Sequence, residues 1–279
     1  MLSYQHHYHV GNHADVLKHW ILYECITYMQ KKPKALDYID THSGAGLYQL
    51  NDSKTQKLKE FESGVNVLLD RPIDELNEFI SLLKGFTSAG EYPGSPTIVG
   101  SLLRDMDKSW LYELHPQTFA ELQQHFATKK SQRKKQTFVR QEDGFIGLQA
   151  LLPTASKRAL VLIDPSYELK QDYSNVVNTI QKAIQKMAQS MILLWYPVVH
   201  RSDVDFIEQQ LLNSDVRNVL QLELSITADS DEKGMTGSGM IIVNPPWTLT
   251  TTAETVLPKL AHILSGGTGT YRNIQLIAE

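Results

Sequence analysis

Apolar residues along this chain fall into two alternating patterns. Short unbroken runs at 109–114, 137–141, 159–163, 190–196, 218–226 and 239–243 read as strands, and Ala35–His42 reads as an earlier one. Between and after them, 97–105, 117–127, 144–152, 171–188, 203–212 and 254–264 repeat apolar residues every three or four positions, as helices with one buried face do. Residues 12–31 form a first helix, with Val16, Trp20, Tyr23 and Thr27 on one side, Leu17 and Ile21 beside them, and Asn12 as its cap. Strands alternating with helices predict an α/β fold with a mainly parallel sheet covered on both faces. The last two strands are separated by the polar, glycine-containing stretch 227–238, which predicts an antiparallel pair at one edge.

Residues 50–95 break the alternation. Within them Pro72 to Phe86 carries Ile73, Leu76, Ile80 and Leu83 on one side, and Asp70 and Pro72 mark its start. The prediction is a small helical lobe inserted into one domain made of 1–49 and 96–279, with 1–34 as an N-terminal segment and helix.

Composition narrows the classes. The 279 residues are 42% hydrophobic and 21% charged, ordinary for a globular protein. The longest apolar runs, such as Ser190–Pro197, are too short to span a bilayer, and residues 1–30 lack the basic start and apolar block of a secretory signal. The single cysteine, Cys25, forms no intrachain disulfide, so the expected compartment is the cytoplasm. A net charge of −4 argues against coating nucleic acid by bulk electrostatics and leaves room for a local basic patch. Lys129-Lys130-Ser131-Gln132-Arg133-Lys134-Lys135 is one such stretch, and taken alone it reads as a solvated loop. No long exposed apolar stripe is evident, so a monomer is expected.

The chemistry concentrates at strand ends, where open α/β sheets bind ligands. Asp40-Thr41-His42-Ser43-Gly44-Ala45-Gly46 follows the first strand, and its glycines allow a tight turn close to a ligand. Gln49 stands where a nicotinamide-binding fingerprint has its third glycine, and no Gly-Lys-Ser/Thr follows, which disfavours an oxidoreductase and an NTPase. Glu113 ends the second run and can accept both ribose hydroxyls of a nucleoside, or be a surface carboxylate. Asp143-Gly144 follows the third, where Asp143 can accept from an adenine amine or cap the next helix.

The fourth run ends in Asp164-Pro165-Ser166-Tyr167, close to an Asp/Asn-Pro-Pro-aromatic turn. An acceptor side chain and a backbone carbonyl there can hold both hydrogens of an adenine amine, localising its lone pair for attack on a methyl carbon. The aromatic ring can stack on an extruded base. Asn244-Pro245-Pro246-Trp247 fits that pattern literally, but it follows a strand predicted antiparallel, whose end lies at the opposite rim. Asp164–Tyr167 is therefore assigned to catalysis and Asn244–Trp247 to structure. His6, His7, His9, His13 and His19 lack a four-ligand spacing, so no metal site is expected. Tyr4 can stack on a base instead, and His6 and Lys18 can meet phosphates.

With these residues in view, the chain resembles the RlmJ family of bacterial 23S rRNA adenine-N6 methyltransferases. The resemblance spans nearly the whole chain. It rests on Met1–Tyr4, Gly11–His19, Asp40–Gly46, Tyr92–Pro96, Glu113–Pro116, Asp143–Phe145, Asp164, Trp195–Pro197, and Gly234–Thr236 leading to Asn244–Trp247. It implies a class I methyltransferase fold, Rossmann-like, with a seven-stranded mostly parallel sheet and a helical insertion. It implies S-adenosylmethionine as cofactor, bound by His19, His42, Gly44, Ser95, Glu113, Asp143, Gly144 and Asp164. Asp164 would be the catalytic acceptor, Tyr4, His6, Lys18 and Tyr167 would meet substrate, and 23S rRNA would be the partner. Two features depart from the family pattern: Ser166 replaces the usual proline, and the basic loop at 129–135 is longer. The first would lower the rate and the second would add a phosphate contact. The same site chemistry serves DNA adenine or a protein amide, and some relatives are labelled as proteins of external DNA utilisation, which leaves a non-catalytic nucleic-acid-binding role as the other reading. No carboxylate cluster suits a two-metal nuclease.

Overall fold

The computed structural model describes residues 5–128, 136–230 and 234–279. Tyr4 and the basic stretch 129–135 lie outside the described residues. The chain runs α1 (His13–Gln30), β1 (Asp37–Asp40), β2 (Leu47–Gln49), α2 (Thr55–Leu58), α3 (Glu60–Ser63), α4 (Val65–Asp70), α5 (Asn77–Thr87), β3 (Glu91–Pro93) and α6 (Ser95–Leu102). It continues through β4 (Lys108–Tyr112), α7 (Pro116–Thr128), β5 (Thr137–Arg140), α8 (Gly144–Leu151), β6 (Ala159–Ile163), α9 (Gln171–Lys186) and β7 (Met191–Val198). It closes with α10 (Arg201–Leu212), β8 (Val219–Ser225), β9 (Gly237–Val243), α11 (Leu249–Leu264) and β10 (Thr270–Ile277). The predicted runs match these elements to within a few residues, except as follows.

The main sheet has eight strands, in the order β10-β8-β9-β7-β6-β1-β4-β5, not seven. The extra strand is β10, which pairs antiparallel with β8. It lies at the edge, where Tyr271 and Ile274 are exposed, so no apolar run marks it in the sequence. The antiparallel pair β8–β9 is present, but not at the edge. β9 slots between β7 and β8, antiparallel to both, and is buried along its whole length. Two glycines permit that insertion: a Cβ at Gly239 would lie 2.2 Å from the Tyr196 ring, and one at Gly237 would lie 2.5 Å from Ser225 Oγ.

Strand residues alternate between two cores, as a period of two requires. Tyr38, Leu160, Leu162 and Leu193 join α1, α11 and the helices of 50–90 on one face. Ile39, Val161, Ile163, Ile192 and Leu194 join α8, α9 and α10 on the other. α1 departs from its predicted amphipathic form. Every residue from His13 to Tyr23 is buried, because the helix is enclosed by the sheet, α6 and α11. Its polar residues His13, Asp15, Lys18 and His19 are therefore internal.

The segment between β2 and β3 leaves and rejoins the domain through their short antiparallel pairing. It holds three short helices that the apolar pattern did not resolve, and the helix predicted at Pro72–Phe86 begins as a 3-10 turn at Asp74–Leu76 and continues as α5. Phe61, Val65, Leu68, Phe79 and Leu83 from this segment share the core cluster of Trp20 and Ile21. No helix of the described residues is long and apolar enough to cross a membrane.

The C-terminal end of α1 is held by Arg104, which donates to the carbonyls of Gln30, Lys32 and Lys34 and pairs with the buried Asp107 at 2.9 Å. Arg104→Ala is expected to lower unfolding stability by about 1–3 kcal/mol, since it removes the ionic partner of a buried carboxylate that then keeps only N–H donors, from Leu36, Gln30 and the residue-104 backbone. Urea denaturation of the variant checks this.

Candidate active site

Strands β1, β4, β5, β6 and β7 run parallel, so their carboxyl ends share one rim. The chain order reverses about β1 and β6, and crevices form at such switch points. The turn after β1 carries Gly44 and Gly46 at φ +62 and +79, a region that disfavours side chains. Three neighbours hold it. Ser43 N–H donates to the Tyr112 carbonyl, Gly44 N–H to Glu113 Oε2 at 3.0 Å, and Ala45 N–H to the Tyr48 hydroxyl. A Cβ at Gly44 would lie 2.4 Å from that hydroxyl.

Glu113 also accepts from His115 N–H at 2.8 Å through Oε1. Burial raises its pKa against the pull of those N–H groups. A carboxylate offers about four acceptor positions, so Glu113 keeps acceptor capacity beyond these N–H groups. Asp143 caps α8, with Oδ1 accepting from Phe145 and Ile146 N–H, which leaves Oδ2 for another donor. The cap and a ligand contact are thus compatible. Gly144 is the closest approach in the rim: a Cβ there would sit 1.9 Å from the Thr41 carbonyl oxygen. His42 lies between these turns, with its ring edge-on to Phe145 and Nδ1 bonded to Thr41 Oγ1 at 2.8 Å. Burial pushes its pKa down to about 4, so the ring is neutral despite nearby Asp164 and Asp143.

The turn after β6 is tied to α1 by a buried ionic chain. Lys18 Nζ donates to Asp164 Oδ2 at 2.7 Å and lies 3.0 Å from Asp15 Oδ1. Asp15 Oδ2 accepts from Gly11 N–H and meets His6 Nε2 at 2.9 Å. Burial opposes both charges. The two carboxylates nevertheless hold Lys18 above the usual lysine range, and His6 and Lys18 hold Asp15 well below the usual carboxylate range. His19 is buried, pushed down to about 3 by desolvation, and bonded to the Tyr92 hydroxyl at 2.9 Å.

Ser95, at the start of α6, donates to Asp40 Oδ2 at 2.7 Å, as does the Tyr38 hydroxyl. Burial pushes Asp40 up to about 6 against those two bonds. Tyr167 adopts a left-handed conformation (φ +53), unusual for an aromatic residue. Its hydroxyl donates to the Trp195 carbonyl at 2.7 Å, and its ring packs on Tyr173.

The structure thus brings His19, His42, Gly44, Ser95, Glu113, Asp143, Gly144, Asp164, Lys18 and His6 to one rim. Lys18 is internal, bound to Asp164, rather than spread on an open surface. Asn244 lies at the far rim: β9 ends beside Ile192 and Val219, the starts of β7 and β8, and its amide donates to the Ala188 and Ser190 carbonyls. Residues that sequence reasoning gave no role are Asp15, Asp40, Tyr48 and Trp195. The first had a signal, since Asp15, Lys18 and His19 stand three and four apart on one helix. Tyr48 had none, because its partner amide is a loop backbone group. Among the described residues no group of three or more His, Cys, Asp or Glu can hold a metal ion.

A family model described as ribosomal RNA large subunit methyltransferase D, RlmJ, matches residues 33–277. The chain belongs to the RlmJ family. Two curated relatives are called ribosomal RNA large subunit methyltransferase J. The one from Escherichia coli K12 is 42% identical over 96% of each chain, and the one from Haemophilus influenzae is 39% identical over 97% of each. A crystal structure of a Legionella pneumophila protein superposes with a TM-score of 0.85 at 32% identity, covering 95% of this chain and 97% of that one. The RlmJ family resemblance read from the motifs therefore holds, and the fold is that of a class I methyltransferase with one strand more than expected.

Two substitutions test this geometry. Gly144→Ala forces a methyl group against the Thr41 carbonyl and should lower stability by about 1–3 kcal/mol, readable by thermal unfolding. Asp40→Asn tests the raised pKa. A carboxyl whose folded pKa exceeds its unfolded value contributes stability below about pH 4 and loses it as pH rises through about 6. The variant should therefore gain on the wild type between about pH 4 and 7 in paired melting curves, and parallel curves would contradict the assignment.

Proposed function

We propose that this protein is a cytoplasmic, S-adenosylmethionine-dependent methyltransferase that acts on the N6 amine of an adenine in 23S rRNA. The observation that carries the reading is the shared rim: the Asp164 turn and the Gly44–Gly46 turn sit together, with the literal Asn-Pro-Pro-Trp match at the other end of the sheet. Relatives named as ribosomal RNA large subunit methyltransferases across nearly the full length support the substrate class. A monomer working without metal suits the site, whose chemistry is hydrogen bonding and charge.

The residues present fit the cofactor. Spare acceptor positions on Glu113 suit ribose hydroxyls, Asp143 Oδ2 suits an adenine amine, and the side-chain-free surfaces of Gly44 and Gly144 admit close approach. When bound, S-adenosylmethionine supplies an electrophilic methyl group on its sulfur. Asp164 is held in place by Lys18 through Oδ2, which leaves Oδ1 to accept one hydrogen of the target amine. The Pro165 carbonyl accepts the other. The two bonds localise the nitrogen lone pair, and positioning lowers the barrier. Tyr167, pinned at its hydroxyl and backed by Tyr173, offers a ring face to an extruded base.

His6 reaches the site through Asp15, so the N-terminal segment that bears it forms a substrate wall. Residues 50–95 are an inserted lobe that buttresses this wall: Glu60 bonds His9 and the Asn12 amide at 3.0 and 2.9 Å.

Asp164→Ala should cut methyl transfer to rRNA by about a hundredfold or more. Calorimetry should still register S-adenosylmethionine binding, and the fold should persist because Lys18 keeps Asp15 as a partner. Full turnover by the variant would end the assignment.

A further inference from the structure

The two rims of the sheet differ in their balance of charge, although each carries both signs. At the catalytic rim, Glu113, Glu142 and Asp143 follow the strand ends beside Asp164. At the far rim, Lys31, Lys32 and Lys34 join α1 to β1, and Lys157 and Arg158 lead into β6. A polyanion gains little from the first surface and much from the second.

The far rim is a continuous, braced surface. Arg158 donates to the Lys34 and Met29 carbonyls at 2.6 Å, locking the 157–158 turn to the 31–34 turn. Gln189 donates to the Lys157 carbonyl, and Asn244 donates to the carbonyls on either side of Gln189, those of Ala188 and Ser190. The lysine turns are therefore bonded, step by step, to the Asn244–Trp247 turn. Lys32, Lys34 and Lys157 are exposed and meet no carboxylate among the described residues. Trp247 is 80% exposed, the most exposed large apolar side chain among the described residues. Asn244 holds that turn in a left-handed conformation (φ +54) with both amide hydrogens engaged, so the indole is presented from a fixed base. Ammonium groups without a carboxylate partner, on the same rim as an exposed aromatic ring, match the needs of a nucleic-acid strand, in phosphate neutralisation and in base stacking.

We infer that the rim opposite the catalytic mouth is a second RNA-binding surface, where Lys32, Lys34 and Lys157 meet phosphates and Trp247 stacks on an unpaired base. The inference rests on the reading of the substrate as rRNA, and it places a distal segment of the same RNA on this rim. Strand β6 spans five residues, so the two surfaces stand roughly 15–20 Å apart. The path around the protein is longer than this straight line, so a folded RNA can reach both surfaces, whereas an oligonucleotide of only a few nucleotides centred on the target adenine stays at the first.

The test compares the full-length protein with a Lys32→Gln/Lys34→Gln/Lys157→Gln variant and with Trp247→Ala. Binding is measured against a long folded fragment of large-subunit rRNA and a short oligonucleotide, across a salt series. The triple variant should bind the long fragment more weakly, with a log affinity against log salt slope shallower by about 2. Trp247→Ala should weaken the same fragment by roughly fivefold or more. Both variants should keep wild-type thermal unfolding, short-oligonucleotide binding and turnover on the short substrate. Wild-type slope and affinity in both variants would overturn the inference. Unchanged RNA affinity with lost binding of a polyglutamate peptide would also overturn it, by assigning the rim to an acidic protein segment. Failure of the wild type to methylate either RNA would refute the proposed function, while the binding comparison would still read this rim.

Discussion

A lysine buried between two carboxylates holds together the rim where the parallel strands end. Lys18 sits inside α1, a helix enclosed on every side, and its ammonium bridges Asp15 on its own helix to Asp164 at the end of β6. Taking an ammonium out of water is expensive, and carboxylates on both sides offset that cost. The arrangement therefore works as a constraint. With α1 docked, Lys18 must find Asp164, and the turn after β6 must stand where it does. The same Asp15 gathers Gly11 N–H and His6, so the entry to α1 is fixed by the group that neutralises the lysine.

Around this chain the rim is built by close backbone approach. Gly144 lets the start of α8 meet the Thr41 carbonyl, and Gly44 lets the first turn meet Tyr48. Glu113 and Asp143 each commit part of their acceptor capacity to these turns and keep a remainder. In the proposed site, structure and ligand recognition would draw on different lone pairs of the same carboxylates. His42 and His19 are neutral at physiological pH because burial outweighs the nearby acids, so they add shape and hydrogen bonding to the site without adding charge.

Much of this was legible in the sequence, and the gaps have physical causes. The strands buried on both faces, such as Ala159–Ile163, announce themselves as unbroken apolar runs. β10 lies at an edge with half its residues in solvent and carries no such run. The position of β9 inside the sheet depends on which strand leaves a gap, a tertiary matter that local pattern does not encode. The candidate site acids stood out because strand ends in an open α/β sheet are where ligands bind. The burial of Lys18 was not, since a lysine on a helix reads as exposed until the helix is seen to be covered all round. The short helices of the 50–90 segment were missed because each is too brief to establish a period.

Ser166 is the remaining departure from the family pattern, and the structure indicates how the turn tolerates it. A proline there would rigidify the chain by restricting its backbone. In its place, the turn is clamped from both sides. Asp164 is held by Lys18, Pro165 is buried, and Tyr167 is fixed by its hydroxyl on the Trp195 carbonyl and its ring on Tyr173. These contacts sustain a left-handed tyrosine that would otherwise relax at a gain of roughly 1–3 kcal/mol. Rigidity at the third position is therefore supplied by tertiary contacts at its neighbours, and what the serine changes is the entropy of the unfolded turn more than the geometry of the folded one.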